Sequence, residues 1–301
     1  MVTKNNNKAQ MSGISEVKTS GTAFSLLLVL FLALSMALSV LLIATKTTAP
    51  YPEWALYLQY LLPVVAIACA SVWYFFKTQK TPSELLQSQR CHPKYYVVAI
   101  LLQVGLLSLS ELNVLFLTWL QKFGYTPQIP DLPSLNGFGF VGVLLTVAVL
   151  PAVFEEIFFR GVLLKGCKAF GEIGAALVCG GIFALYHQNP AQTIYQFCCG
   201  FAFALVAIRA GSVLPTVLSH FLNNALVIIL TKFGLDNLPA PLGLVLLCVS
   251  ALCLLGTLGY LLFLDKQKTE QPKGTKKEFL LGAFIGLVIC AFTWISALFI
   301  G

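Results

Sequence analysis

The chain has 301 residues, of which 58% are hydrophobic and only 10% charged, and its formal net charge is +7. Soluble domains carry about a quarter charged residues, so this composition excludes an ordinary soluble domain and points to a protein that crosses the bilayer several times. The basic residues sit in the gaps between apolar runs instead of forming one patch, which excludes a nucleic-acid groove and fits loop charges that orient helices in a membrane.

Along the chain, a polar N-terminal tail (1–21) precedes a predicted helical bundle (22–301). The first apolar run, Ala23–Ala44, exceeds the 7–15 residues typical of a signal-peptide core and is read as a retained helix. Trp54–Phe76, Tyr96–Leu120, Phe140–Leu164, Ile173–His187, Thr193–Arg209, Val213–Leu230, Leu242–Leu264 and Phe279–Ile300 follow. Most approach or exceed the ~20 residues needed to cross the hydrocarbon core. The fifth is short, so it is expected to be tilted, re-entrant or continued by Gln188. The fold class is therefore all-α, a polytopic transmembrane bundle of about nine helices, with eight possible.

Charge placement orients the bundle. With the N-terminus cytoplasmic, Lys4, Lys8, Lys18, Lys77, Lys80, Arg90, Lys94, Lys165, Lys168, Arg209 and the five lysines from Lys266 to Lys277 fall on the cytoplasmic side. Only Lys46, Lys122 and Lys232 fall outside, the asymmetry expected of the positive-inside rule. Most of the nine cysteines lie within apolar runs and no CxxC occurs; they read as packing residues, not as a disulfide framework. No internal repeat supports an inverted-repeat transporter.

Ionisable groups at membrane depth are costly and are functional candidates. In "VLPAVFEEIFFRGVLL" (149–164), Glu156 and Arg160 are four residues apart, share a helix face and can pair. Glu155 lies about 100° around the helix and points elsewhere. An ion pair tying the fourth helix to its neighbours would account for Glu156 and Arg160 but leaves Glu155 unexplained. Of the three histidines, His187 ends the fifth helix, where it can be an interfacial residue, and His220 lies in the seventh. His220 and Asn224 are also four apart and project from one face, which packing hydrogen bonds alone would explain.

At 1.5 Å per residue, Glu155, His187 and His220 come out roughly 14, 21 and 10 Å deep, differences that tilted helices absorb. Pro151, one turn before the glutamates, can bend its helix and free backbone groups near them. A Glu, two His and an Asn can perform hydrolysis: a carboxylate and an imidazole hold and deprotonate water, while an imidazole and an amide stabilise an oxyanion. Zinc held by Glu155, His187 and His220 is the competing arrangement, although no HExxH is present.

Three segments together, EExxxR as "EEIFFR", FxxxH as "FALYH" and HxxxN as "HFLNN", resemble the motifs of the CPBP intramembrane proteases. That family includes type II CAAX prenyl endopeptidases and the bacterial Abi proteins of bacteriocin processing and self-immunity. The resemblance covers about Phe140 to Leu230, placing a catalytic core at about 138–232. It implies that Glu155 and His187 activate water, that His220 and Asn224 stabilise the oxyanion, and that Glu156 and Arg160 support the site. The implied partners are the bilayer and a peptide or protein entering from the membrane or its cytoplasmic side. No cofactor is expected on the preferred glutamate–water reading, with zinc as the alternative, and the expected location is the cell membrane. A non-catalytic scaffold or immunity protein, and less readily a transporter coupling Glu111 and Glu155, are the competing functions.

Overall fold

The computed structural model describes residues 15–81, 83–84, 91–127, 131–235, 239–265 and 274–300. Arg90, Lys266, Lys268, Lys273 and residues 1–14 of the polar tail lie outside them. All nine expected helices are present, and no strand occurs among the described residues. They are α1 (Glu16–Ala44), α2 (Glu53–Thr78), α3 (Lys94–Gln121), α4 (Phe138–Phe170), α5 (Glu172–Tyr186), α6 (Thr193–Ala210, entered through the turn Pro190–Gln192), α7 (Leu214–Phe233), α8 (Ala240–Leu264) and α9 (Lys276–Ile300). Eight are long and apolar enough to span a membrane, and α5 is the short one.

The helix ends are set by local chemistry. Ser15 caps α1, its Oγ accepting from the Lys18 N–H, so residues 16–21 are already helical. α5 stops at Tyr186 because Gln188 is left-handed, with φ 51°. Gln188 therefore does not extend the helix.

The ends also sort into two groups. At one end Lys80 pairs with Glu16, Lys165 donates to the Glu84 carbonyl, Lys94 pairs with Asp265 and Arg209 with Glu172. At the other, Glu53 accepts from the Ser134 N–H, Tyr60 donates to the Asp131 carbonyl and Lys232 to the Leu135 carbonyl. This alternation is the one expected from the loop charges.

α4 is the axis of the bundle, touching α1, α2, α5, α6 and α7. Its course combines α-helical turns with two π-type stretches, Leu144–Val149 and Ile157–Leu163, on either side of Leu150–Glu156. Such widened turns often mark functional sites. α5 and α6 approach closely: a Cβ on Gly180 would lie 2.7 Å from the Phe201 amide nitrogen, and one on Gly200 would lie 2.8 Å from the Gly180 Cα. Small residues at such crossings let membrane helices pack backbone to backbone.

That crossing yields a prediction with an internal control. Gly180→Val should destabilise the protein by about 2 kcal/mol through overpacking. The adjacent Gly181, whose added Cβ meets nothing within 4 Å, should accept alanine with little change in melting temperature in detergent.

Candidate active site

α4 carries three charged side chains into the interior: Glu156 and Arg160 are wholly buried and Glu155 almost so. Arg160 Nη1 lies 2.8 Å from Glu156 Oε1, and Nη2 donates to the Gly200 carbonyl at 3.3 Å. The i,i+4 pairing expected from the sequence is therefore present. Three aromatic rings enclose the guanidinium, whose carbon lies 4.5 Å from the Phe183 centroid, 5.3 Å from Phe203 and 6.0 Å from Phe159. A desolvated cation over ring faces is held electrostatically, so the aromatic box and Glu156 act on Arg160 together.

His220 reaches this pair from α7. Its Nδ1 lies 2.9 Å from Glu156 Oε1 and its Nε2 lies 3.9 Å from Glu155 Oε2. Arg160 and His220 share Glu156 Oε1 as their acceptor, so Nδ1 carries the hydrogen between the ring and that oxygen. A neutral His220 then turns an unprotonated Nε2 toward Glu155.

His187 is fixed by the same logic. Its Nδ1 lies 2.7 Å from the Phe183 carbonyl, which can only accept, so its Nε2 is the free lone pair. Phe183 joins the two histidines: its ring centroid lies 4.7 Å from that of His187 and 6.0 Å from that of His220.

Asn224, one turn beyond His220, donates through Nδ2 to the Val147 carbonyl at 3.2 Å. In an α-helical turn that carbonyl would take the N–H four residues on, but that residue is Pro151, which has none. One hydrogen of the Asn224 amide remains for another acceptor.

The structure thus gathers Glu155, Glu156, Arg160 and His220 into one network, with Asn224 bonded to the α4 backbone beside it and His187 packed across Phe183. Glu155 is the spare member. Its Oε2 is buried without a hydrogen-bond partner among the described residues, as are Glu156 Oε2, Arg160 Nε and the hydroxyl of Tyr186, the neighbour of His187; unlike Glu156, Glu155 has no bond to Arg160 or His220 through its other oxygen. Glu111, by contrast, is exposed on α3, away from this interior group.

Several contributing residues are not readable as functional from sequence. Phe183 appears only as a motif letter, and Phe203 looks like one of many apolar residues in α6. Asn223, Gln103 and Tyr195 form a polar cluster behind Asn224; the doubled amide in "FLNN" and the lone amide in "ILLQVGL" are the available signals.

Among the described residues, no three or more His, Cys, Asp or Glu side chains are gathered to hold a metal ion. His187 and His220 each commit Nδ1 to an acceptor and keep Nε2 free, a disposition that serves a held water and a metal ligand alike.

The three motif segments, EExxxR on α4, FxxxH on α5 and HxxxN on α7, converge on one buried site. Residues 137–226 match the family model described as Type II CAAX prenyl endopeptidase Rce1-like. The Rce1-like segment runs from the start of α4 into α7 and contains every residue of the network, so the expected family resemblance holds. It supports a CAAX-type protease embedded in the membrane, which agrees with the eight spanning helices. No curated protein and no solved structure matches the chain.

The buried ion pair is testable on stability alone. Arg160→Ala, which strands Glu156 in an apolar interior, should cost about 3–5 kcal/mol. The double change Glu156→Gln with Arg160→Met should cost less than Arg160→Ala, because no uncompensated charge remains. Thermal melts of the purified variants compare the two.

Proposed function

We propose that the protein is a membrane-embedded endopeptidase that hydrolyses a peptide bond with water activated by Glu155. The observation that carries this reading is the inequality of the two adjacent glutamates. Arg160 and His220 both bond Glu156 through Oε1, while Glu155 takes a hydrogen bond from neither and turns a buried Oε2 toward the His220 imidazole 3.9 Å away.

In this mechanism, water is held between Glu155 and His187 Nε2. Glu155 removes its proton as the oxygen attacks the substrate carbonyl. The free hydrogen of the Asn224 amide donates to the developing oxyanion. The proton taken by Glu155 passes to His220 Nε2, making an imidazolium whose Nε2–H also faces the oxyanion and whose charge Glu156 offsets. Collapse of the tetrahedral intermediate breaks the C–N bond and returns the proton to the leaving amine, so the products are one carboxylic acid and one amine. No step uses a metal.

The family description favours a substrate of CAAX type, in which a prenylated cysteine precedes the bond that is cut. The lysine-rich helix ends are assigned to the cytoplasmic face of the cell membrane, where such a peptide would arrive. Bacteriocin processing or self-immunity has no comparable support.

A fluorogenic peptide bearing farnesyl-cysteine near its C-terminus tests the reading, with the unprenylated peptide as comparison. Glu155→Gln should lower kcat by about 10²–10⁴-fold, the range for loss of a general base, while the protein melts at or near the wild-type temperature. Wild-type activity retained by folded Glu155→Gln would sink the mechanism. Activity removed by a chelator and restored by zinc would replace it with a metal-dependent one.

A further inference from the structure

Behind Asn224 a chain of side-chain hydrogen bonds crosses three helices. Asn223 Nδ2 donates to Asn224 Oδ1 at 3.2 Å. Asn223 Oδ1 accepts from Gln103 Nε2 of α3 at 2.8 Å and from the Tyr195 hydroxyl of α6 at 2.6 Å. The Ser219 hydroxyl, one turn earlier on α7, lies 3.3 Å from Gln103 Oε1 and 3.1 Å from the Ala99 carbonyl.

The direction of this chain follows from one atom. The Val147 carbonyl can only accept, so Asn224 must present Nδ2 to it and turn Oδ1 away. Asn223 must then offer Nδ2 to that oxygen and expose its own Oδ1 to Gln103 and Tyr195. Both of those partners are therefore donors. Read from the other end, Gln103 Nε2 and the Tyr195 hydroxyl donating to Asn223 Oδ1 favour the orientation that the Val147 carbonyl requires, so that turning over either asparagine would oblige the whole chain to reverse. Amide orientation in a buried network is set by this kind of donor and acceptor matching.

We propose that Asn223, held by Gln103 and Tyr195, is a positioning residue for hydrolysis: it fixes the Asn224 amide with Nδ2 toward α4 and the reacting carbonyl. This rests on the reading above that gives Asn224 the oxyanion. Asn223 itself touches no reacting atom. Its contribution is the sign of the dipole that Asn224 presents, since an inverted amide would place an oxygen where negative charge develops.

The test uses the full chain in lipid nanodiscs with the farnesylated fluorogenic peptide. Asn223→Ala should lower kcat by about 10–100-fold, as loss of a supporting hydrogen bond typically does, with KM within about twofold. Asn223→Asp should be at least as damaging, because its carboxylate attracts the Asn224 N–H groups and inverts that amide. Tyr195→Phe, the mildest change, should lower kcat less, in the same direction.

The decisive comparison is Asn223→Ala within Asn224→Ala, where no further loss of kcat is expected. An additive loss, or unchanged kcat in Asn223→Ala and Tyr195→Phe alike, overturns the proposal. Full activity in Asn224→Ala instead overturns the oxyanion assignment on which it rests. If wild-type protein leaves the peptide intact, the protease reading with this substrate fails. The melting temperatures of the same four proteins then decide whether residues 223 and 224 are coupled, and additive shifts reject the coupling.

Discussion

A guanidinium and a carboxylate sealed inside an apolar bundle constrain everything around them. Glu156 and Arg160 are both wholly buried, so neither can lose its partner without leaving a charge that the interior cannot solvate. The aromatic box of Phe159, Phe183 and Phe203 closes round the cation, and Gly200 brings a backbone carbonyl to it. This requirement draws α5 and α6 against α4. It also commits Glu156 as the acceptor for His220, fixing which ring nitrogen looks toward Glu155. Electrostatic necessity in one residue pair becomes orientation in the next.

The two histidines illustrate a shared solution. Each spends Nδ1 on an acceptor that can only accept, a carboxylate for His220 and a backbone carbonyl for His187. Each is left with Nε2 unengaged. A neutral imidazole fixed in one tautomer is better suited to handling a proton than one free to exchange between two. The interior around Glu155 is thus equipped with acceptors, and the amide of Asn224 is the nearby neutral donor.

Much of this was legible in the sequence, for identifiable reasons. Pairing of Glu156 with Arg160 follows from helical repeat alone, as does the common face of His220 and Asn224. Helix number and the sorting of loop charges follow from apolar run lengths and lysine placement. The helix-to-helix contacts were not legible: periodicity says which residues share a face but not which faces meet. Hence the bond from His220 to Glu156, the boxing of Arg160 by Phe203 and the line from Gln103 through Asn223 to Asn224 appear only once α3, α4, α6 and α7 are packed. Pro151 lies between these cases. Its missing N–H is a sequence fact, but only the structure shows that Asn224 reaches the Val147 carbonyl four residues before it.

The shortness of α5 bears on how water, which lipid lacks, can approach the buried polar group. Its 15 residues rise only about 22 Å, less than the ~30 Å of a hydrocarbon core. The remaining path is a polar loop whose backbone is anchored at Ala191 by the Asn113 and Asn189 side chains, with the Tyr125 hydroxyl donating to Asn189 Oδ1. Irregular backbone at such depth persists where protein or water satisfies it. A helix that ends early beside His187 therefore replaces a greasy wall with amides and hydroxyls, shortening the dry distance between the membrane surface and the buried polar group.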